Sequence, residues 1–232
     1  MSEILLIHGT AHGAWCWDGV LAELHALGRT ARAIDLPGRG TDPRPPETVT
    51  LADFSKAILA ATGDRPVTLV GHSAGGYAIT AAAEAAPRRF AKLIYLCAYV
   101  PRPGLSLADM RRAGPSQPLA GQFRLSPDRR SFAFAATAAG LFFHDCPAPQ
   151  TAFARLTAEA TAPQETALAS TARAEALPRH YIRCLHDRVI PPDYQSEMST
   201  AFGPDRTDFP TGHSPFLAAP QALARLIARL AP

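Results

Sequence analysis

The sequence predicts an α/β fold, a mostly parallel central sheet with helices on both faces. Three observations point to it. Short apolar runs at residues 4–7, 30–34, 67–70, 93–98 and 181–185 alternate with helix-compatible stretches, the pattern of a sheet covered on both sides. Residues 67–76 join a β-branched run to an alanine-rich helical stretch through a turn carrying Gly71, Ser73 and Gly75. Strand-like sequence then stops near residue 101 and resumes near 179, as it would around an insertion into a continuous core.

Taken in order, residues 4–7 form a buried strand. His8-Gly9-Thr10-Ala11-His12-Gly13-Ala14-Trp15-Cys16-Trp17 follows it. A turn of small residues there lets backbone N–H groups face a cavity, where they can stabilise negative charge on a carbonyl oxygen. Trp15 and Trp17 are expected to pack beneath this loop. A helix over residues 17–27, closed by Gly28, leads to the strand 30–34 and to a loop set by Pro37, Gly38 and Gly40. Residues 51–61 read as an amphipathic helix with Asp53 near its start. After the strand 67–70 and its helix, 77–86, comes the buried strand 93–98. Residues 101–178 are rich in proline, alanine and arginine, with short helices expected around 130–139, 150–158 and 164–174. This segment is read as a helical cap, with residues 1–100 and 179–232 as the core. The strand 181–185 ends in His186-Asp187. A helix follows from Pro191-Pro192 to about residue 201, then a last strand at 206–209. Leu223, Leu226, Ile227 and Leu230 give the closing helix, 220–230, one apolar face.

Composition narrows the function. A chain of 232 residues with 47% hydrophobic content suits one α/β domain with a sizeable core. A net charge of +3, with arginines scattered or in pairs, is no nucleic-acid footprint. No apolar run reaches the ~18 residues of a membrane span, and no leader sequence is evident, so a cytoplasmic protein is expected. Cys16, Cys97, Cys146 and Cys184 lack C-x-x-C spacing, and Cys97 and Cys184 sit in apolar strands as small buried residues. A homodimer is compatible with this composition.

Chemistry concentrates at three positions. Ser73 sits on the strand-to-helix turn, where strained backbone presents its hydroxyl. A serine needs a base, and the base needs an orienting acid. His213 is the one histidine of eight between the last strand and the final helix. Asp187 directly follows a strand, whereas the competitors Asp193 and Asp208 fall in a helix and a strand; Asp205 is the third alternative. His8 and His12 have no carboxylate at ligand spacing, so no zinc is expected there.

With those residues quoted, the chain resembles the α/β-hydrolases. More narrowly, it is similar to the branch of plant methylesterases, including the salicylate-binding esterase, and plant α-hydroxynitrile lyases. Residues 8–17, Gly71-His72-Ser73-Ala74-Gly75-Gly76, His186-Asp187-Arg188-Val189-Ile190-Pro191 and Gly212-His213-Ser214-Pro215 carry the likeness. In the cap, Phe142-Phe143-His144-Asp145-Cys146 resembles a recurrent piece of bacterial relatives. The resemblance implies a cap inserted after the sixth strand, catalysis by Ser73, Asp187 and His213, and an oxyanion hole from the N–H groups of Thr10 and Ala74. It implies no metal and no cofactor. His12, Tyr99, Phe134, Leu141, Phe142 and Phe143 are the candidates for contacting substrate. Lyases of this branch carry threonine at Gly9 and lysine at Ser214, so the likeness favours a hydrolase of small, mostly apolar esters over a lyase. A lactonase, a C–C bond hydrolase, a hydroxynitrile lyase and a slow-turnover ligand receptor are the alternatives. A small-molecule ester is the expected partner, with neither nucleic acid nor membrane.

Overall fold

The chain enters its sheet almost at once. A computed structural model describes residues 2–40 and 42–232. In it β1 (Ile4–Ile7) is followed by α1 (Asp18–Ala26), β2 (Ala31–Ile34), α2 (Leu51–Ala60), β3 (Val67–His72), α3 (Gly75–Ala85) and β4 (Phe90–Leu96). The cap carries α4 (Leu107–Ala113), β5 (Phe123–Leu125), β6 (Ser131–Phe134), α5 (Ala139–Phe142), α6 (Pro149–Ala154), β7 (Glu159–Ala160), α7 (Ala162–Glu165) and α8 (Ala172–Glu175). The core resumes with β8 (Arg179–Cys184), α9 (Pro192–Met198), β9 (Arg206–Phe209), α10 (Pro215–Ala218) and α11 (Pro220–Leu230).

Six strands pair in the order β2-β1-β3-β4-β8-β9, and every pair is parallel. A strand alternates its side chains between faces, and both faces here are apolar. Leu5, Ile7 and Leu69 point into one cluster, which α2 and α3 cover. Ile4, Leu6 and Val70 point into the other, which α1 and α11 cover. All four β1 residues are fully shielded; at about 1.5–3 kcal/mol per aliphatic side chain, this one strand contributes on the order of 10 kcal/mol of hydrophobic stabilisation. The α2 helix starts at a capping box between Thr50 and Asp53, worth about 1 kcal/mol.

β1 has β2 on one side and β3 on the other, so the chain reverses its direction of travel across the sheet between β1 and β3. Crevices open outside the carboxyl ends of strands at such switch points. The loops after β1 and β3 are the ones that carry Thr10 and Ser73.

Two expectations about the insertion are corrected. It follows the fourth strand rather than a sixth, since only four strands precede residue 101 among the described residues. It is also not simply helical: β5, β6 and β7 form an antiparallel sheet, and residues 131–134, expected in a helix, are its middle strand. Phe132 is buried and Ala133 exposed, the two-residue alternation of a half-buried strand, and rings of Phe123, Phe132 and Phe134 pack edge to face or tilted across it. Cap residues such as Phe142 and Phe143 belong to the same apolar cluster as α2 and α3, so the insertion is docked onto the sheet by burial. The four cysteines are free and buried. Among the described residues no helix is long and apolar enough to cross a membrane.

Candidate active site

Ser73 ends a strand and begins a helix, and the turn between them forces its backbone into the left-handed region, φ 53°. Few non-glycine residues adopt that conformation without function. The flanking glycines make it feasible. A Cβ on Gly71 would lie 2.8 Å from the carbonyl oxygen of Gly75, and one on Gly75 would lie 2.9 Å from that of His8.

The structure brings Ser73, His213 and Asp187 together. Ser73 Oγ lies 3.1 Å from His213 Nε2, and His213 Nδ1 lies 2.8 Å from Asp187 Oδ2. A carboxylate can only accept, so Nδ1 carries the proton and Nε2 is left to accept from the serine hydroxyl. All three residues are buried. Asp187 is positioned by further donors. Its Oδ1 accepts from the N–H groups of Val189 (2.7 Å) and Ile190 (2.9 Å), and its Oδ2 accepts from Gln195 Nε2 (2.9 Å). The competing acids are elsewhere: Asp208 pairs with Arg183, Asp205 stands 4.0 Å from His180, and Asp193 is exposed.

Three more histidines crowd this centre, all held neutral by burial. His8 donates Nδ1–H to the Gly9 carbonyl and accepts from Leu36 N–H. Its pKa falls to about 3. His12 donates to the Thr10 carbonyl, and burial brings its pKa to about 4. His72 donates to the His213 carbonyl at 2.8 Å and is pushed well below the usual histidine range, again chiefly by burial. His72, Cys97 and His213 are close enough to suggest a metal centre. Except for His72 Nδ1, their polar atoms are otherwise engaged, because His72 Nε2 and Cys97 Sγ both address the His213 carbonyl and both His213 nitrogens serve Asp187 and Ser73. That donor set fits a hydrogen-bond network better than a ligand set.

Thr10 and Ala74 stand beside Ser73 on the two loops of the switch point. Neither backbone N–H is bonded to an acceptor among the described residues, so both are free to meet an oxyanion. The loop carrying Thr10 is fixed from the cap. Ala11, itself at φ 62°, donates its N–H to Glu159 Oε2 at 2.9 Å, and Gln164 Nε2 lies 3.2 Å from Thr10 Oγ1.

A narrow crevice, with about 30 Å³ of room for water-sized atoms, reaches Ser73. Of the expected substrate contacts, Tyr99, Phe134 and Phe142 line it. Three do not. Phe143 is fully buried between His12 and Phe142, Leu141 packs on the core cluster, and His12 is enclosed by Trp15, His72 and Phe216. Each is large and apolar or aromatic, and core packing claimed it first.

Several participants went unforeseen. Arg111, Phe123, Phe132 and Gln164 line the crevice from the cap. Gln195 shares a buried helix face with Tyr194 and Met198, a pattern that could have marked it. Asp145, within the quoted Phe-Phe-His-Asp-Cys piece, accepts the Gly212 N–H at 2.6 Å and so anchors the loop holding His213. Gly9 and Ser214, where lyases of the branch carry larger side chains, have little room for them. A Cβ on Gly9 would come within 2.8 Å of Ser73 Cβ, and Ser214 is fully buried.

Comparison with known proteins agrees with this architecture. A family model described as "Alpha/beta hydrolase family" matches residues 4–226. Methylesterase 17 of Arabidopsis thaliana is 28% identical, with 99% of this chain and 91% of its own length aligned. A putative chloroplastic methylesterase, number 14 of the same plant, is 29% identical over 100% of this chain and 72% of its own. Among solved structures, a pyrethroid hydrolase from Sphingobium faniae JZ-2 superposes with a TM-score of 0.89 at 26% identity, covering 98% of this chain and 96% of that one.

Proposed function

The chain belongs to the alpha/beta hydrolase family, and from that premise we propose that it is a serine carboxylic-ester hydrolase working through an acyl-enzyme. Curated relatives named as methylesterases support the ester as the bond cleaved. The observation that carries the reading is the buried relay from Ser73 through His213 to Asp187, with a crevice ending on the serine hydroxyl.

In this mechanism Ser73 Oγ attacks the acyl carbon while His213 Nε2 takes its proton. The carbonyl oxygen, now negative, is met by the N–H groups of Thr10 and Ala74. Such donors cost no reorganisation as the charge develops. His213 passes the proton to the leaving alcohol, and the acyl group remains on Ser73. Water then enters, gives a proton to His213, and the acid leaves as Ser73 recovers its hydrogen. Asp187 keeps its hydrogen bond to Nδ1 throughout, steadying the imidazolium. Because burial holds His8, His12 and His72 neutral, His213 is the histidine that exchanges protons.

The test is Ser73→Ala assayed on an activated phenyl ester and on methyl esters of short and medium acids. Loss of turnover by at least about a thousandfold with an unchanged melting temperature is expected, since one oxygen is removed and little packing. Near-native hydrolysis by the alanine variant would sink the proposal.

A further inference from the structure

Most charged side chains here are paired or reach solvent from the rim, but one points into the crevice without a partner. Arg111 lies on α4, between Met110, which is buried, and Arg112, which pairs with Asp109. Arg111 itself is half-buried, with its guanidinium carbon 4.2 Å from the centre of the Phe123 ring. No carboxylate lies within ion-pair distance of it among the described residues, and none lines the crevice. Desolvation works against its charge, and Tyr99 stands nearby. A guanidinium stacked on an aromatic face still has its N–H groups free at the edge of the plane.

Tyr99 supplies the second observation. The other four of the five tyrosines place their hydroxyls on partners: Tyr77 on Leu105, Tyr95 on Thr80, Tyr181 on Ala98 and Tyr194 on Met110. The Tyr99 hydroxyl has none among the described residues, although the residue is largely buried and lines the same crevice as Ser73. Burial raises its pKa, so it remains an O–H donor. One cation and one hydroxyl donor, both unmatched, thus share a pocket whose other walls are mostly aromatic and aliphatic.

We propose that Arg111 and Tyr99 form an anion subsite, and that the preferred substrates are esters bearing a remote free carboxylate, such as monoesters of dicarboxylic acids. This specificity rests on the ester-hydrolase reading above. A carboxylate matches the set better than a phosphate. It is planar, takes a bidentate guanidinium, and its single charge is balanced by a single cation. A dianion would leave net charge against Phe123, Phe132 and Phe134. The competing role for Arg111 is to cover Phe123 only, in which case substrate charge is immaterial.

The experiment measures kcat/KM for monomethyl glutarate, adipate and suberate against neutral methyl esters of equal chain length, in the wild type, Arg111→Met and Arg111→Lys. A hydrogen bond between charged groups predicts that the best carboxylated ester outruns its neutral counterpart by about 10–100-fold. Arg111→Met should collapse that ratio to near one, and Arg111→Lys should recover part of it. A wild-type ratio at or below one at every length, or equal losses for both series in Arg111→Met, would overturn the subsite. If no ester of either kind is turned over, the hydrolase reading fails instead. Calorimetric titration of Ser73→Ala and of Ser73→Ala/Arg111→Met with monomethyl adipate and methyl hexanoate then decides the subsite without turnover. Tighter binding of the charged ester, lost with Arg111, supports it, and equal binding refutes it.

Discussion

Glu159→Gln is a sharp probe of how the cap is held to the core. Glu159, on the short β7 strand, is buried with its carboxylate against the guanidinium of Arg39, which is also buried. The contact is close by distance but lacks hydrogen-bond alignment, and Arg39 Nε has no partner among the described residues. Arg39 therefore depends on the charge of Glu159; its one aligned side-chain bond among the described residues is to the Gly38 carbonyl. The same carboxylate accepts the Ala11 and Ala160 N–H groups at 2.9 and 3.1 Å. Glutamine keeps the shape and one acceptor oxygen but leaves a guanidinium buried without a counter-charge. Breaking one side of a buried pair costs about 3–5 kcal/mol. For a chain of this size that lowers the melting temperature by on the order of 10 °C. Urea melts of Glu159→Gln, Arg39→Met and the double variant measure it. The double variant should recover much of the loss, because replacing both partners removes the stranded charge. A Glu159→Gln protein within about 1 kcal/mol of wild type, or strictly additive losses in the double variant, would refute the argument.

Three further outcomes are expected. Asp187→Asn should lower kcat by up to about 10⁴, since an amide can donate and favours the wrong imidazole tautomer; Asp193→Asn and Asp208→Asn should stay near wild type, and a crippled Asp193→Asn would mean the acid was misassigned. Gly9→Ala should cut turnover sharply while the protein still folds, because its methyl would press on Ser73 Cβ and the His72 carbonyl, 2.8 and 3.1 Å away; unchanged kinetics would show that the nucleophile is not so confined. Finally, stability should fall on mild acidification. His8 and His12 are depressed to about 3 and 4 when folded, so below about pH 6.5 the unfolded chain takes up protons that the folded one refuses. Between about pH 7 and about pH 5 the two together remove on the order of 4 kcal/mol, and urea melts that are flat across that interval would contradict it.

The core was legible because its elements obey local rules. β1, β3 and β8 read as apolar runs since both faces of a parallel sheet are buried, and β9 and α11 fell where expected. The candidate nucleophile, base and acid were legible for a related reason. Each follows a strand, where a loop at the carboxyl edge of the sheet can do chemistry without disturbing packing. The cap resisted because its structure is not local. The run 131–134 is too short and too weakly patterned to declare itself a strand, and it becomes one by pairing with Phe123–Leu125 and Glu159–Ala160. Arg111 shows the same limit at the site. Arg111-Arg112 is an ordinary surface pair in the sequence, and only the turn of α4 over Phe123 sends one arginine to Asp109 and the other into the crevice.

That division bears on how specificity is carried. Ser73, His213 and Asp187 are held by the core, through β3, the loop after β9 and the loop after β8. Most of the crevice wall enters from the insertion, with Phe123, Phe132, Phe134 and Phe142 as apolar faces, Arg111 as the charge and Gln164 against Thr10, while Tyr99 and Val189 come from the core. Two cap carboxylates then reach back to the core loops, Glu159 to Ala11 and Asp145 to Gly212. Those loops carry the candidate oxyanion donor and the candidate base. The pocket walls and the chemical groups are therefore fixed in one frame by hydrogen bonds to charged acceptors, stronger than neutral ones by about twofold. Substitutions that change the walls can leave this frame intact, whereas loss of either carboxylate moves chemistry and specificity together.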